Sequence, residues 1–336
     1  MYHSDKYFMR LAIKEALKAG PSVYPNPKVG AIIVKNDKVL STGFHKSFGS
    51  AHAEEIAIKN LESSYNNVTL YVTLEPCSHK GKTDPCTELI DKDIFHRVVI
   101  GSSDPNPLAC GGANIIRKKN IQVDENICQD ETKILNKRFF TYYEKKRPYI
   151  ILKMASTMDG FIAETDGYSK WITNQKSRES VHKLRASCDA ILVGRKTIEK
   201  DNPFLTSHGK GKNPKIVLLD PDSKLDKNKN VFQNDPIVFS KGLDRNSPKI
   251  NIKNILDTLY TNSYQTLLVE GGGITFSHFL NNNLFDELHI YFAPKFIGDG
   301  IPIYYGVKTL KEDLNLHIHK IENFDNDIKI IYHKKA

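Results

Sequence analysis

Three potential metal ligands occur in short motifs in the first part of the sequence. His52 belongs to the triplet His-Ala-Glu, and Cys77 and Cys86 each follow a proline. One imidazole and two thiolates supply three ligands to a zinc ion and leave the fourth tetrahedral position open, as in catalytic rather than structural zinc sites. Each residue alone is more readily a surface histidine or a buried cysteine, but the combination in this order predicts a zinc centre.

Glu54 stands two residues after His52 and is not needed as a ligand. A carboxylate beside an activated water molecule is placed to carry protons. His-x-Glu followed by Pro-Cys is typical of the zinc-dependent nucleobase deaminases, although eight residues rather than two separate the cysteines here. The motifs therefore predict a hydrolytic deamination. In this hypothesis hydroxide made at the zinc ion attacks a ring carbon that bears an amine, and Glu54 passes protons to the ring nitrogen and the departing ammonia.

The composition suits two globular domains. The chain has 336 residues, of which 40% are hydrophobic, and no run of 18 apolar residues that would span a membrane. Its first twenty residues mix charges with apolar residues at helical spacing, which favours an amphipathic helix over a signal peptide. With no export signal, the five cysteines are expected to be reduced thiols of a cytoplasmic protein.

The formal net charge is +9, but the lysines are scattered singly or in pairs and form no basic arm. A distributed positive charge favours small anionic ligands, such as phosphorylated metabolites, over nucleic acid. We therefore expect a small-molecule partner, no nucleic acid and no membrane.

Residues 1–145 are predicted to form one domain. Strands alternate with helices there, which is the pattern of a three-layer α/β/α sandwich. The predicted strands are 29–34, a strand running to 44, 68–73, 97–100 and 121–123, and the predicted helices cover about 5–19, 52–62, 86–93, 112–119 and 130–143.

A charged segment that ends in Pro148 is the expected linker, and residues 148–336 form the second predicted α/β domain. A helix is expected at about 174–187, and the predicted strands are 149–155, 190–193, 215–219, 236–239, 266–269, 287–292 and 328–332. The strand 266–269 leads through Glu270 and three glycines into a helical run from Ile274. Glycines before a helix N-terminus let a phosphate approach the backbone, although spacing alone fits a plain turn equally well. The absence of G-x-G-x-x-G disfavours a Rossmann fold.

Both halves contain motifs that resemble one family, the bifunctional deaminase–reductase of riboflavin biosynthesis. The resemblance covers nearly the whole chain, and the Pro-Cys-Ser-His-Lys-Gly-Lys-Thr-Asp-Pro-Cys stretch is its most specific part in the first half. The matching segments are 25–30, 43–45, 52–54, 75–79, 81–83, 85–86, 104–107, 153–160, 169–173, Arg185, 194–197, 201–203, 205–206 and 268–272.

For the first half, the resemblance implies a cytidine-deaminase-like fold that deaminates 2,5-diamino-6-ribosylamino-4(3H)-pyrimidinone 5′-phosphate. Asn26, His45, His79 and Lys82 match positions that contact this substrate in the family. Asn26 offers a donor and an acceptor to a ring edge, and Lys82 offers a cation to a phosphate. The alternatives are turn chemistry for Asn26, which lies between two prolines, and a solvated Lys82.

For the second half, the resemblance implies a dihydrofolate-reductase-like fold that uses NADPH to reduce the ribosyl group of 5-amino-6-(5-phosphoribosylamino)uracil. The family also tends to self-associate, so a homo-oligomer is expected. The implied NADPH contacts are Ala155, Trp171, Thr197, Asp201 and the turn at Gly272 and Gly273, and the implied substrate contacts are Ser169, Arg185, Leu205, His208 and Glu270.

Three points in the second half stay open. Trp171 is equally compatible with a core position. Where the family often has arginine for the substrate phosphate, this chain has His208, whose charge depends on pH. Pro221 stands where a small hydroxyl residue is common, so a hydrogen bond to the cofactor is expected to be missing.

Two alternatives compete with this interpretation. A nucleoside or transfer-RNA deaminase with an unrelated C-terminal domain would lack the motifs of the second half. A non-catalytic zinc protein would use a fourth protein ligand and would have no use for Glu54.

Overall fold

The computed structural model describes residues 3–62, 65–81, 84–240, 251–306, 314 and 316–334. The chain separates into two compact units, Met1–Lys146 and Arg147–Ala336.

The first unit is built on one mixed sheet. Within the described residues its strand order is β2-β1-β3-β4-β5; β1 is antiparallel to both neighbours, and β3, β4 and β5 are parallel. The strands are β1 (Gly30–Lys35), β2 (Lys38–Phe44), β3 (Val68–Leu74), β4 (Phe95–Ser102) and β5 (Gln122–Asp124). The helices are α1 (Asp5–Ala16), α2 (Ala53–Lys59), α3 (Cys86–Leu89), α4 (Gly112–Lys118), α5 (Gln129–Leu135) and α6 (Lys137–Lys145).

Helices cover both faces of this sheet. Successive side chains of a strand point to opposite faces, so alternate residues of β1 pack against different helices. Ala31 and Ile33 pack in one buried cluster with residues of α2 and α4. Ile32 and Val34 pack in another cluster with residues of α1. A strand buried on both faces reads as a continuous apolar run, which explains why β1 and β3 were visible in the sequence.

The helix predicted over 130–143 is two helices, α5 and α6, that meet at Asn136. The backbone of Asn136 leaves the helical region, with φ −120° and ψ 30°. Its side-chain amide makes two hydrogen bonds of 2.8 Å with the backbone of Lys28, accepting from the N–H and donating to the carbonyl oxygen. A side chain that pairs with a distant backbone in this way interrupts the local helix.

The second unit has a larger sheet. Its order among the described residues is β10-β9-β8-β11-β6-β12-β15-β14. A short antiparallel pair, β7 and β13, lies apart from it. The strands are β6 (Tyr149–Thr157), β7 (Phe161–Ala163), β8 (Ala190–Gly194), β9 (Lys215–Leu219), β10 (Ile237–Phe239), β11 (Thr266–Val269), β12 (Glu287–Ala293), β13 (Ile301–Pro302), β14 (Leu316–Phe324) and β15 (Asp327–Lys334). The helices are α7 (Gln175–Ala186), α8 (Arg195–Asp201), α9 (Ile252–Thr261) and α10 (Gly273–Asn281).

The strands from β10 to β12 in this order are all parallel, and β15 and β14 continue the sheet as an antiparallel hairpin. Buried clusters lie on both faces of the sheet. The carboxyl ends of β6, β8 and β11 therefore lie along one edge, which is where ligands bind in parallel α/β sheets.

The sequence analysis did not predict α8, α9, β7, β13 or β14. Helix α9 has a readable pattern, since Ile252, Ile255, Leu256 and Leu259 recur at helical spacing and are buried. Helix α8 has only Ile198 buried, and β14 is largely exposed, so neither carries a strong apolar period. Every helix in the described part of the chain is too short or too polar to cross a bilayer.

Candidate zinc centre and reductase cavity

The structure brings the three predicted metal ligands together. His52 is the N-cap residue directly before α2, Cys86 is the first residue of α3, and Cys77 lies in the loop after β3. The potential ligand atoms of the three residues all lie within 4.8 Å of one another. His52 Nδ1 is 3.1 Å from Cys86 Sγ and 3.5 Å from Cys77 Sγ.

These separations fit a tetrahedral zinc ion. Bonds of about 2.0 Å to nitrogen and about 2.3 Å to sulfur place those two ligand atoms about 3.5 Å apart. In the described residues this is the one His, Cys, Asp or Glu group of three or more with atoms at metal-binding distance. The donor set and its spacing therefore suit zinc without a large rearrangement.

The two sulfurs are electrostatically unequal. Cys77 accepts hydrogen bonds from the thiol and the backbone N–H of Cys86, and these interactions lower the pKa of Cys77 to about 4. The same contact and burial raise the pKa of the Cys86 thiol. A cation between the two sulfurs would favour release of the proton from the Cys86 thiol.

Glu54 is buried on the first turn of α2, with 3% of its surface exposed. Burial raises the pKa of its carboxyl, and the neighbouring His52 opposes that shift. The side chain also interacts with the thiol of Cys86. A carboxyl that takes up a proton readily beside the metal ligands has the property required of a proton carrier.

Asn26 and His45 lie next to this cluster. The Asn26 amide nitrogen is 3.1 Å from His45 Nε2, and His45 Nδ1 is 3.1 Å from the carbonyl oxygen of Ala51. The His45 ring packs edge-on against His52 at 5.4 Å between centroids. The sequence analysis placed Asn26 and His45 in one site, and they are neighbours in the fold.

The other two predicted contacts of the first unit are less defined. His79 is exposed and follows Cys77 in the same loop. Lys82 lies outside the described residues.

Glu75 and Asp104 form an anchor that the sequence analysis did not single out as functional. Glu75 is buried and accepts hydrogen bonds from the backbone N–H groups of Asp104, Gly111 and Ala113 at 2.9–3.1 Å. Burial raises the pKa of Asp104 to about 7, and Glu75 and Cys77 act in the same direction. Glu75 thus fixes the 104–113 segment against the loop that carries Cys77. The sequence feature that could have indicated this role is the position of Glu75 directly before Pro76 and Cys77.

The second unit contains a cavity of about 1250 Å³. Pockets for single small ligands usually measure roughly 300–1,000 Å³, so this one has room for a dinucleotide and part of a substrate. Its lining includes every residue that the sequence analysis assigned to the reductase site: Ala155, Ser169, Trp171, Arg185, Thr197, Asp201, Leu205, His208, Glu270, Gly272 and Gly273.

A glycine turn forms one wall of the cavity. Gly272 is the residue directly before α10, and it lines the cavity together with Gly271 and Gly273. A Cβ on Gly273 would lie 2.5 Å from the carbonyl oxygen of Pro302, so this position requires glycine. A Cβ on Gly272 would meet only Thr197 Oγ1 at 3.7 Å, which leaves open space for a ligand. A bare helix N-terminus of this kind suits a phosphate.

Buried charged side chains also line the cavity. Arg185 donates from Nε and Nη2 to the two carboxylate oxygens of Glu270, at 2.8 and 3.0 Å, and from Nη1 to the carbonyl oxygen of Thr206. Lys153 Nζ lies 3.7 Å from Glu270. Burial acts to raise the pKa of Glu270, but Arg185 and Lys153 outweigh it and hold that pKa at about 2.

The structure answers two of the questions that the sequence left open, the position of Trp171 and that of Pro221. Trp171 is 61% exposed and lines the cavity, so its alternative assignment as a core residue is wrong. The Arg178 guanidinium lies 4.4 Å from the centre of its ring. Pro221 also lines the cavity, where it has no hydroxyl to offer a cofactor.

Two family models match the chain. The cytidine and deoxycytidylate deaminase zinc-binding region matches residues 2–102, and the RibD C-terminal domain matches residues 148–330. The second match contradicts the alternative of an unrelated C-terminal domain.

Relatives align over nearly the full length. The riboflavin biosynthesis protein RibD of Aquifex aeolicus is 38% identical, with 98% of this chain and 98% of that protein covered. RibD of Bacillus amyloliquefaciens is 35% identical, with 97% and 95% covered. A crystal structure of a diaminohydroxyphosphoribosylaminopyrimidine deaminase/5-amino-6-(5-phosphoribosylamino)uracil reductase from Thermotoga maritima has a TM-score of 0.83 and 37% identity over 98% of both chains. Acinetobacter baumannii RibD has a TM-score of 0.85 and 30% identity over 99% of both.

These findings confirm the predicted fold class, a cytidine-deaminase-like α/β/α domain followed by a dihydrofolate-reductase-like α/β domain. They confirm the predicted cofactors as well, since the first domain is of a zinc-binding type and the second is an NADPH-type reductase domain. The chain therefore belongs to the RibD family of bifunctional deaminase–reductases in riboflavin biosynthesis.

Proposed function

We propose that the two domains catalyse consecutive steps. Residues 1–145 would deaminate 2,5-diamino-6-ribosylamino-4(3H)-pyrimidinone 5′-phosphate. Residues 148–336 would then reduce the ribosyl group of 5-amino-6-(5-phosphoribosylamino)uracil to ribityl. The observation that carries the proposal is the His52, Cys77 and Cys86 cluster beside buried Glu54, in a chain whose second unit holds one large cavity.

In the deaminase, His52, Cys77 and Cys86 would hold zinc. When bound, the ion lowers the pKa of a water molecule so that the water becomes a nucleophile near neutral pH. Glu54 would take a proton from the attacking water and deliver it to the ring nitrogen. As the bond between carbon and the exocyclic amine breaks, Glu54 would carry the remaining proton of the added hydroxyl to the amine, which leaves as ammonia while the carbonyl of the product forms.

The remaining residues of this site would select and orient the pyrimidine. The Asn26 amide and the His45 ring already contact each other, so each holds the other in place against the substrate. His79 and Lys82 would reach the substrate from the loop after Cys77, and Lys82 would carry the charge that suits the phosphate.

In the reductase, Gly272, Gly273, Thr197, Asp201, Ala155 and Trp171 would bind NADPH. When bound, NADPH supplies a hydride to C1′ of the ribosyl group, and the ring oxygen takes up a proton as its bond to C1′ breaks. Ser169, Arg185, Leu205, His208 and Glu270 would position the substrate. Because Glu270 and the carbonyl oxygen of Thr206 already accept hydrogen bonds from Arg185, its guanidinium is held in place where it lines the cavity.

We also propose that the enzyme works in the cytoplasm on small phosphorylated substrates, without nucleic acid, and that it self-associates. The scattered lysines argue for small anions. Ile318, Ile321 and Ile328 are more than two-fifths exposed on the β14–β15 hairpin, which supports a contact between copies. Sedimentation of the purified protein tests that contact, and a monomer at micromolar concentration would contradict it.

A coupled assay tests the order of the two reactions. Purified protein receives the diaminopyrimidine substrate and NADPH, and ammonia release and NADPH oxidation are recorded together. Ammonia should appear first, and a zinc chelator should stop both signals. Direct addition of 5-amino-6-(5-phosphoribosylamino)uracil should restore NADPH oxidation in the chelated sample. Oxidation that precedes deamination, or no ammonia at all, would contradict the proposal, and the latter would favour a non-catalytic zinc protein.

A further inference from the structure

One wall of the reductase cavity has little packing of its own. Residues 169–173 line the cavity, and they include Ser169 and Trp171. The structure describes every residue from Glu164 to Lys176, and each of them is at least partly exposed to solvent. A segment without buried side chains contributes little to its own stability, so its position depends on the elements at its two ends. The C-terminal end of this segment is the start of α7.

A buried carboxylate from another element fixes the start of α7. Asp327 is the first residue of β15 and is 3% exposed. Its Oδ2 accepts hydrogen bonds from the backbone N–H of Asn174 and from the hydroxyl of Ser177, both at 2.7 Å. Asn174 also caps the helix, since its side chain accepts from the N–H of Ser177 at 3.0 Å. Hydrogen bonds to an ionised acceptor are stronger than neutral ones, so Asp327 holds the first turn of α7 firmly.

Contacts lead from this first turn back to Trp171. Arg178 of α7 donates from Nη1 to the carbonyl oxygen of Thr173 at 2.7 Å, and its guanidinium lies 4.4 Å from the centre of the Trp171 ring. Arg178 and Trp171 both line the cavity. Lys295 Nζ donates to the carbonyl oxygen of Trp171 at 2.6 Å. Because Arg178 moves with its helix, the position of the indole depends on where α7 begins, and Asp327 sets that point.

We propose that Asp327 is a positioning residue of the reductase, which holds the wall 169–173, through α7, in the arrangement that binds NADPH. This inference rests on the proposed function, in which Trp171 contacts the cofactor. Asp327 is not among the described residues that line the cavity. The start of β15 therefore acts on cofactor affinity without a contact to the cofactor.

Loss of this anchor should change affinity rather than the chemical step. Without the carboxylate the wall exchanges among several arrangements, of which only the native one binds NADPH tightly. The apparent dissociation constant then rises in inverse proportion to the populated fraction of that arrangement, so a wall correctly placed about one tenth of the time raises it about tenfold. Once NADPH saturates the enzyme the wall is in place, so the KM for NADPH should rise while kcat stays within about twofold.

Two substitutions of Asp327 in the full-length protein test this role. Asp327→Ala removes the acceptor, and Asp327→Asn keeps an oxygen that accepts from both donors and loses only the charge. The NADPH dissociation constant is measured by titration, and KM and kcat are measured with 5-amino-6-(5-phosphoribosylamino)uracil. We expect Asp327→Ala to bind NADPH about tenfold more weakly and Asp327→Asn to recover most of that loss. Wild-type affinity in Asp327→Ala, a lower kcat at unchanged KM, or no recovery with asparagine overturns the proposal.

Trp171 reports on the wall directly, because it is the one tryptophan of the chain. Its fluorescence anisotropy should be lower in Asp327→Ala than in the wild type, and saturating NADP⁺, which does not absorb tryptophan emission, should restore it. Far-UV circular dichroism verifies that the variant is folded. If Asp327→Ala does not fold, Ser177→Ala removes one of the two hydrogen bonds and should show the same changes at smaller size. Equal anisotropy in the folded variant and the wild type, both free of cofactor, counts against the anchor.

The matched control is Asp325→Asn, which alters an exposed ion pair with Lys176 just before β15. It should keep the wild-type KM and anisotropy, and a loss equal to that of Asp327→Ala would overturn the assignment to Asp327. The outcomes also separate this inference from the proposed reactions. A wild type that binds NADPH but never oxidises it contradicts the reduction, while affinity and anisotropy still test Asp327. Full turnover together with wild-type NADPH affinity in Asp327→Ala contradicts the positioning role alone.

Discussion

The two sites of this chain are built on different principles. The deaminase centre brings three ligand atoms from His52, Cys77 and Cys86 within 4.8 Å of one another. The reductase site is a cavity of about 1250 Å³ whose walls run in sequence from Lys153 to Tyr305. The deaminase centre depends on the chemical identity of its ligand atoms. The reductase cavity depends on the shape of the backbone and on buried charge.

This difference teaches where function is visible in a sequence. A metal ion accepts few types of donor atom at fixed distances, so its ligands can be recognised in a sequence by residue type. A dinucleotide is held largely by backbone groups and apolar surface, to which many side chains are suited. Substitutions should accordingly be all-or-none in the first site and graded in the second.

Removal of a metal ligand should have the largest effect. Cys86→Ser should abolish zinc retention and reduce ammonia release to that of a chelated sample, because a buried hydroxyl is a poor replacement for thiolate. NADPH oxidation with 5-amino-6-(5-phosphoribosylamino)uracil should stay at the wild-type rate. Metal content and the two rates are measured on one preparation. Cys110→Ser, which alters an exposed thiol, is the control. Equal loss of both activities would show that the two sites are not independent.

Loss of the proton carrier should be nearly as severe. Glu54→Gln keeps the shape of the side chain but removes its acid–base function, so deamination should fall by about 10²–10⁴-fold with zinc still bound. Ammonia release and zinc content check this result. The control is Glu55→Gln, one position along the same helix, where the side chain is partly exposed. A Glu54 variant with ordinary turnover would remove Glu54 from the mechanism.

Glu270→Gln should destabilise the second unit without a defect in zinc binding. The change leaves Arg185 and Lys153 buried without their shared anion, which costs about 3–5 kcal/mol. Trp171, the one tryptophan of the chain, reports the unfolding of this unit by fluorescence. As the control in the same unit, Asp325→Asn breaks an exposed ion pair with Lys176 and should cost less than about 1 kcal/mol.

The stability difference due to Glu270 should also depend on pH. The pKa of this carboxyl is about 2 in the folded protein, below its ordinary value of 4.5. A depressed pKa contributes stability that is complete above the ordinary value and is lost as the pH falls through the folded value. The difference between wild type and Glu270→Gln should therefore shrink from pH ~4.5 towards pH ~2. A difference that stays constant over this range would contradict the assigned ionisation.

Gly272→Ala should have the smallest effect and the most specific one. The added Cβ has only Thr197 Oγ1 within 4 Å, at 3.7 Å, so it fits the free protein. If NADPH phosphate approaches the backbone there, its dissociation constant should rise about tenfold, equivalent to about 1.4 kcal/mol. Titration of NADPH fluorescence measures the change. Gly20→Ala, at another helix start with open space around its Cβ, is the control. Unchanged NADPH binding in Gly272→Ala would show that the phosphate binds elsewhere in the cavity.

The residues of the two sites were predicted from the sequence by different arguments. His52, Glu54, Cys77 and Cys86 were predicted from side-chain chemistry and spacing alone, and the fold places them together. Apart from the glycine turn after Glu270, which the strand-to-helix pattern indicated, the cavity residues came from family resemblance, since no spacing rule connects Ser169 with Gly272.

What the sequence did not reveal was mostly pairing between distant residues. The ion pair of Arg185 with Glu270 and the stacking of His182 on His208 join segments whose proximity depends on the order of strands in the sheet. Periodicity reports on one element at a time, so it cannot supply such contacts. The weakly apolar α8 and the exposed β14 were missed for the related reason that burial, which creates the pattern, is slight there.

Asn136 shows how far the deaminase centre extends along the chain. Its amide holds the backbone of Lys28, two residues from Asn26, which in turn contacts His45 beside the metal ligands. A screen for variants with altered pyrimidine selectivity should thus recover position 136, although it lies after the last strand of that domain. Engineering that shortens the first domain to its zinc-binding region would discard this remote brace and loosen substrate recognition while metal uptake persists.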